Sequence, residues 1–207
     1  MAQTGRSMKL FWSSRSPYAR KALLVAQEAG LADRMELVSI GIPQRVPNAE
    51  LAAANPIRKL PTLITDAGDM IVDSPVIAEY LDALGGSGLF PGGEGRWWAM
   101  SLQALADEAI QILLLWRREL RRPEDARSAP LLEDFAARLD RMLDWMEADP
   151  QFGKEFTIGE ATCGIMLSYL DFRFVELPWR PGRERLSAWH EGFENRPSAI
   201  ATRFSDD

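Results

Sequence analysis

The hydrophobic and polar positions of residues 8–31 follow two patterns in succession. A short apolar run from Met8 to Trp12 has the length and composition of a buried strand. Further along, apolar residues recur at helical spacing and share one face of a helix: Ala22, Val25, Ala26 and Ala29. Three serines and a proline separate the two patterns, at residues 13–17. The segment therefore predicts a strand that enters a helix through a hydroxyl-rich turn.

This turn has two interpretations. The first backbone N–H groups of a helix have no intrahelical partner and carry partial positive charge, so they stabilise an anion. A thiolate or a phosphate could therefore lie beside Ser13, Ser14 and Ser16. Alternatively, the serines only cap the helix, which is a common role of serine.

The next residues predict the remainder of a small α/β unit. Residues 35–40 form a second strand, and the Pro- and Asn-rich segment 41–59 is a loop with one helical turn at 49–54. Two short strands, 60–65 and 69–73, flank a hairpin signal at 66–68. A helix then starts, with Ser74 as N-cap and Pro75 as its first residue. The order is β-α-β-loop-β-β-α.

Beyond residue 94 the strand signals disappear. Apolar residues spaced by three or four predict a long helix from Trp98 to Leu120, which Pro123 closes, and a second helix covers 130–148. A third helix follows Thr157, whose hydroxyl can form a capping box with Glu160. We predict an α/β domain at 8–84, a linker at 85–95 and an all-helical domain at 96–204.

Composition narrows the classes of function. A net charge of −6 argues against a nucleic-acid partner. The sequence contains no run of about twenty apolar residues, so it predicts no membrane span. The first seven residues are too short and polar for a signal peptide, and Cys163 is the only cysteine. We therefore expect a cytoplasmic protein without a disulfide. One histidine and one cysteine predict no metal site.

Four motifs together resemble the cytosolic glutathione transferases, in the order and at the spacing of that family. The resemblance implies a thioredoxin-like βαβ-ββα domain followed by an all-helical domain, with glutathione as co-substrate. It also implies a homodimer that transfers the glutathione sulfur to a small apolar electrophile. The motifs are SSRSPYARK from residue 13, NPIRKLPTL from residue 55, DSPVIAEYL from residue 73 and FTIGE from residue 156.

The resemblance also assigns roles to single residues. Ser13 aligns with the catalytic hydroxyl, with Ser14 as the alternative. A free thiol has a pKa of about 8.5, and a charge-assisted hydrogen bond of roughly 1.5–3 kcal/mol would lower it by about one or two units. The implied glutathione-binding residues are Ser13, Ser14, Lys59, Leu60, Pro61 (with a cis bond), Asp73 and Ser74.

In this family the second-substrate pocket is lined by the first turn and the long helix. Trp12, Arg15, Trp116 and Arg117 are the implied wall residues. The arginines at 117, 118, 121 and 122 are either a solvated helix end or a site for an acidic electrophile. Asp107 either pairs locally or reaches glutathione across a dimer interface, as a mid-helix acid does in some relatives.

Two other functions stay open. The paired serines and the NPIRKLPTL segment are similar to the zeta class, whose members isomerise maleylacetoacetate, but Arg15 stands where those enzymes have cysteine. Without a cysteine in the turn, thiol–disulfide exchange is disfavoured, and conjugation is favoured over isomerisation. The fold is also reused by non-enzymatic proteins that bind glutathione for a regulatory or structural role.

Overall fold

The computed structural model describes residues 7–41 and 46–206. Residues 42–45 of the predicted loop and residues 1–6 of the N-terminal segment lie outside this description. The chain divides into two compact units. The first comprises the chain up to Phe90 together with the segment from Pro197 onward, and the second is Pro91–Arg196.

A mixed four-stranded sheet is the centre of the first unit. Its spatial order is β2-β1-β3-β4. Strand β1 runs parallel to β2 and antiparallel to β3, and β3 runs antiparallel to β4. The parallel pair is joined by a helix, as parallel strands require. The strands are β1 (Met8–Trp12), β2 (Met35–Ser39), β3 (Thr62–Ile64) and β4 (Met70–Ile71).

Three helices complete the predicted β-α-β-loop-β-β-α order, so the predicted fold is confirmed. They are α1 (Pro17–Glu28), α2 (Ala49–Ala54) and α3 (Ser74–Gly85). Helix α1 packs against α3 and buries Ala22, Val25 and Ala26, the face predicted from the apolar spacing. Helix α2 occupies the predicted residues because the side chain of Asn48 caps it and accepts a hydrogen bond from the Leu51 N–H.

The start of α3 and the lengths of two strands differ from the prediction. Asp73, not Ser74, is the N-cap of α3, because the extended backbone lasts one residue longer and Ser74 is already helical. Strand β3 begins only at Thr62, since Pro61 has no N–H to donate to a neighbouring strand. Strand β4 pairs over two residues before the chain turns into α3.

The second unit, whose residues are all described, contains helices and connecting loops but no strand. Its helices are α4 (Gly95–Leu120), α5 (Ala129–Ala148), α6 (Ile158–Arg173) and α7 (Glu184–Glu194). Helix α6 is central, because every residue from Ile158 to Leu170 is buried. A Cβ on Gly159 would lie 2.8 Å from the Ala99 carbonyl oxygen of α4, so only glycine permits this close approach.

Helix α6 starts at the predicted capping box. The Gly159 N–H donates to the Thr157 hydroxyl over 3.2 Å, and the Thr157 N–H donates to the Glu160 carboxylate over 3.2 Å. None of the helices in 7–41 and 46–206 is both long and apolar enough to cross a membrane.

The C-terminal segment departs from the predicted domain limits. The sequence placed residues up to 204 in the helical domain, whereas the segment from Pro197 groups with the first unit. Its last helix, α8 (Pro197–Ala201), packs on α1. Two hydrogen bonds hold it there. The Ser198 hydroxyl donates to the Glu28 carboxylate in a partly buried position, and the Arg20 guanidinium donates to the Ala199 carbonyl in a buried one.

Candidate functional site

The sheet topology brings three chain segments to one edge of the first unit. In the observed register Phe11 faces Thr62, and Leu63 faces Ile71. The end of β1, the start of β3 and the end of β4 therefore meet at the same edge. Ser13 directly follows β1, Pro61 directly precedes β3, and Asp73 follows the end of β4 by two residues. The predicted catalytic and glutathione-binding residues thus share one edge of the sheet.

The spacing of this edge suits an extended tripeptide. Strands β1 and β4 flank β3 on either side, so the segments that follow them are two inter-strand spacings apart, about 10 Å. Three residues in extended conformation span at most about 10 Å. A tripeptide can therefore reach from the Ser13 turn to the start of α3 while lying along the Leu60 segment.

The first segment is the serine turn before α1. The Ser16 N–H donates to the Ser13 carbonyl over 3.0 Å, which closes the turn. The Ser16 hydroxyl accepts from the Ala19 N–H over 3.2 Å and is the N-cap of α1. Helix capping therefore explains the role of Ser16, but not of the other two serines. Ser13 is 5% exposed and Ser14 is half-buried, and neither caps the helix.

The second segment is the loop that leads into β3. The Leu60–Pro61 bond is cis, as predicted. Lys59 is exposed, and its carbonyl accepts a hydrogen bond from the buried Thr62 hydroxyl over 2.7 Å. Leu60 is half-buried. The Asn55 side chain lies beneath this loop and donates to the Thr62 hydroxyl over 2.9 Å.

The third segment is the start of α3. The exposed Asp73 is the N-cap residue, but its carboxylate makes no capping hydrogen bond with the helix. A cis bond that does not involve proline joins it to Val72. Ser74 is 2% exposed and begins the helix, so its neighbourhood has the partial positive charge of a helix N-terminus. A ligand with a carboxylate and an ammonium group finds the matching charges here.

The predicted wall residues of the first unit have different surroundings. Trp12 is half-buried, and its indole nitrogen is buried without a hydrogen-bond partner among residues 7–41 and 46–206. The Arg15 guanidinium is held by Asp206, through its main-chain carbonyl over 2.5 Å and its carboxylate over 3.4 Å. Arg15 is therefore tied to the C-terminal segment.

The predicted wall residues of the second unit are neighbours on α4. Trp116 is 8% exposed and packs against Phe135 and Phe174, with ring centroids 6.5 Å and 5.3 Å away, so it belongs largely to the core of this unit. Arg117 is half-buried. Burial lowers the pKa of Arg117, and the charges of Arg173 and Arg121 lower it further. Tyr169 opposes them through its charge and through a hydrogen bond.

No group of three or more His, Cys, Asp and Glu side chains that could hold a metal ion is found within 7–41 and 46–206. Burial raises the pKa of the Cys163 thiol well above its usual value, and the carboxylates of Glu160 and Asp107 raise it further. A thiol in this state is a poor nucleophile.

Comparison with known proteins identifies the family of this chain. The family model for the N-terminal domain of glutathione S-transferase matches residues 15–84, and the model for the C-terminal domain matches residues 129–192. The chain is 31% identical over 201 residues to the uncharacterized GST-like protein YibF of Escherichia coli K12, across 94% of this chain and 98% of that protein. The chain belongs to the glutathione S-transferase family.

This glutathione S-transferase family member is similar in structure to proteins solved with glutathione or a glutathione conjugate bound. A family member from Pseudomonas fluorescens Pf-5 with bound glutathione has a TM-score of 0.90 and 34% identity, over 96% of this chain and 100% of that one. A structure from the same organism with bound S-(propanoic acid)-glutathione has a TM-score of 0.87 and 33% identity, over the same shares of the two chains.

Two features of the candidate site in this glutathione S-transferase family member were not predicted from the sequence. The first is the Asn55–Thr62 hydrogen bond beneath the Leu60 segment. Both residues belong to the NPIRKLPTL motif, so the motif could have indicated this contact. The second is the C-terminal segment, where the Ser205 N–H donates to the Ser14 carbonyl over 3.3 Å. Residue 205 is far from the serine turn along the chain and lies in no motif, so nothing in the local pattern indicated this contact.

Proposed function

We propose that the protein is a glutathione transferase that conjugates the glutathione thiolate to a small electrophile. One observation carries the proposal: the Ser13 turn, the Leu60–Pro61 segment and the start of α3 share one edge of the sheet, at a spacing that suits an extended tripeptide. Family membership and the glutathione-bound relative from Pseudomonas fluorescens support it.

In the proposed reaction Ser13 is the catalytic residue. Its hydroxyl donates a hydrogen bond to the glutathione sulfur, which favours the thiolate over the thiol. The thiol proton passes to water. The sulfur then attacks the electrophilic carbon, a carbon–sulfur bond forms, and a leaving group such as chloride departs with the electron pair of the broken bond.

The remaining proposed contacts orient the tripeptide. The main chain of Leu60, just before the cis proline, pairs with the cysteinyl unit, and Lys59 and Ser14 lie beside it. Asp73 faces the γ-glutamyl ammonium group, while Ser74 and the N-terminus of α3 accept the γ-glutamyl carboxylate. These contacts hold the sulfur near Ser13, so both ends of the ligand contribute to the reaction.

The test compares Ser13→Ala and Ser14→Ala with the exposed control Ser101→Ala. Ultraviolet difference spectra of bound glutathione measure its thiolate, and turnover of chlorodinitrobenzene measures conjugation. We expect Ser13→Ala to abolish the thiolate signal and to lower kcat/KM by about ten- to a hundredfold. If Ser14→Ala loses the thiolate signal while Ser13→Ala keeps it, Ser14 rather than Ser13 is the catalytic residue. Wild-type protein without any bound thiolate would refute the proposal.

A specific observation favours a second class of electrophile, one that bears a carboxylate. Arg117 is half-buried on α4, with Arg121 and Arg173 close enough to depress its pKa. A carboxylate placed there would relieve the repulsion between these cations. The relative from Pseudomonas fluorescens with S-(propanoic acid)-glutathione binds a conjugate that carries an acid. In contrast, the half-buried indole of Trp12 suits the small apolar electrophile of the main proposal.

Kinetics separate the apolar from the acidic class. If the electrophile is acidic, Arg117→Gln should raise KM for chloronitrobenzoate about tenfold and leave KM for uncharged chlorodinitrobenzene unchanged. Arg118→Gln, an exposed neighbour on the same helix, is the matched control. Equal effects of Arg117→Gln on both substrates would favour the apolar class.

Two rival functions are tested in the same preparation. Turnover of maleylacetone without conjugation would identify a glutathione-dependent isomerase. Retention on a glutathione column without either turnover would identify a regulatory or structural glutathione-binding protein.

We further propose a cytoplasmic homodimer. Each unit exposes apolar side chains: Met70, Val72 and Val76 in the first, and a groove that includes Leu105 and Trp145 in the second. Sedimentation equilibrium tests the dimer, and a monomer at micromolar concentration would refute it. Asp107→Asn tests whether the partner's acid acts at the glutathione site, since only a shared site would lose glutathione affinity.

A further inference from the structure

The last described residues run back along α1, from its C-terminal end to the serine turn. Ser198 contacts Glu28 in the last turn of α1, and Ala199 contacts Arg20 in its first half. The Phe204 ring lies 4.7 Å from the Arg20 guanidinium carbon. The segment from 198 to 206 is therefore antiparallel to α1 and reaches the residues that precede it.

At the serine turn this segment makes two kinds of contact. The Ser205 N–H donates to the Ser14 carbonyl over 3.3 Å. The Arg15 guanidinium donates to the Asp206 carbonyl over 2.5 Å and lies 3.4 Å from the Asp206 carboxylate. The first contact fixes the main chain of the turn, and the second fixes the adjacent side chain.

Fixing the Ser14 carbonyl also fixes the peptide unit that it shares with Arg15. Because a trans peptide is planar, its C=O and N–H groups point in opposite directions. The Ser14 carbonyl faces the tail, so the Arg15 N–H faces away from it. Two nearby backbone N–H groups already donate hydrogen bonds within the turn: that of Ser16 to the Ser13 carbonyl, and that of Ala19 to the Ser16 hydroxyl. The tail thus sets the direction of an amide that precedes the helix.

We propose that residues 203–206 form a positioning strap, in which Ser205 and Asp206 hold the Ser13–Ser14 turn in the geometry that ionises the glutathione sulfur. This inference rests on the proposed function of the turn. Ser205 and Asp206 are positioning residues, because they act through Ser14 and Arg15. A hydroxyl that stabilises a thiolate must be held to within about half an ångström, and a loop positions a side chain less precisely than a helix or a strand does unless other contacts support it.

The test uses deletion of residues 203–207 and the single variant Asp206→Asn in the full chain. The control is Ile200→Ala, which changes an exposed side chain of the same segment and leaves the hydrogen bonds of Ser205 and Asp206 to the turn in place. Hydrogen exchange of residues 13–20, without glutathione, reports the rigidity of the turn. The pH profile of kcat/KM and the thiolate spectrum report the state of the sulfur.

For the deletion we expect faster exchange in the turn and a pH profile displaced upward by about half to one unit. Activity near neutral pH should then fall about three- to tenfold and recover above the pKa of the free thiol. Asp206→Asn should give a smaller shift in the same direction, since its main-chain contact stays. A merely structural role would lower the melting temperature and leave the pH profile in place.

The two proposals fail in different ways. Unchanged exchange in the turn after the deletion overturns the strap, whatever the activity of the wild type. Faster exchange with an unchanged pH profile and thiolate spectrum also overturns it. Wild-type protein that binds no thiolate refutes the proposed function, and with it the catalytic purpose of the strap, while the exchange result still reports whether the tail orders the turn.

Discussion

The side-chain amide of Asn55 lies 2.9 Å from the hydroxyl of Thr62, which it joins across the loop that precedes the cis proline. The Thr62 hydroxyl in turn donates a hydrogen bond to the Lys59 carbonyl over 2.7 Å. The other end of the Asn55 amide accepts the Ile57 N–H over 2.9 Å. One buried side chain therefore shapes the main chain on which the cysteinyl unit of glutathione would lie.

Replacing Asn55 with alanine should loosen this loop. The change leaves the Ile57 N–H and the buried Thr62 hydroxyl each without one partner, so we expect a loss of about 1–3 kcal/mol in the free energy of unfolding. Glutathione affinity should fall as well, because the Leu60 segment loses its support. Urea denaturation and calorimetric titration measure the two effects. Asn195→Ala removes an exposed amide and is the control; a loss in the control equal to that of Asn55→Ala would contradict this account.

The Asp171 carboxylate should make stability depend on pH. Burial raises the pKa of Asp171. Hydrogen bonds from Arg180 and Trp179 lower it, as do the positive charges of Arg180 and His190. Together these interactions outweigh burial, so the pKa of Asp171 lies below its usual value. A carboxyl with a lowered folded pKa stabilises the fold above its unfolded pKa, about 3.9, and this contribution is lost as the pH falls through the folded value.

Asp171→Asn should therefore cost about 1 kcal/mol at pH values near 7, a figure kept low because about a third of the side chain is exposed and screened by solvent. The difference from wild type should shrink as the pH drops below about 4. Asp134→Asn, which breaks an exposed pair with Arg138 on one helix, should change stability by less than about 0.5 kcal/mol. A difference that is constant over this pH range would show that charge is not the cause.

Gly164 should not tolerate a side chain. A Cβ at this position of α6 would lie 2.4 Å from the Phe193 ring of α7, so the ring and α7 would have to move. We expect Gly164→Ala to destabilise the protein by about 1–3 kcal/mol. At Gly192, in α7, a Cβ meets nothing within 4 Å, so Gly192→Ala should be neutral or stabilising by up to about 1 kcal/mol. Similar melting temperatures for the two variants would argue against the observed packing of Phe193.

Cys163 should be inert in the native protein. It is fully buried in α6, and its raised pKa keeps it a neutral thiol. Reaction with a thiol reagent should be about a hundredfold or more slower than in denaturant, where the thiol becomes accessible. Cys163→Ala should retain thiolate formation and conjugation. Rapid native labelling, or loss of turnover in a folded Cys163→Ala variant, would bring this cysteine into the chemistry.

Local signals were sufficient for several elements. The Ser16 cap of α1, the Asn48 cap of α2 and the Thr157–Glu160 capping box each involve residues two or three apart, so the sequence displays both partners together. The α3 cap was misplaced by one residue, because Asp, Ser and Pro are all suited to a helix start. Only the extended backbone of Asp73 decided between them.

The resemblance to glutathione transferases supplied the three segments of the proposed site, whereas the sequence by itself determined the order of strands and helices and the two-part architecture. It did so because apolar periodicity, turn residues and caps act over a few neighbouring positions. Only the tertiary structure decided that Asn55 supports the Leu60 loop, that Trp116 lies largely in a core, and that Ser205 contacts Ser14. These contacts join residues that are far apart in the sequence or depend on how whole elements pack. Local sequence patterns do not indicate which distant residues will meet.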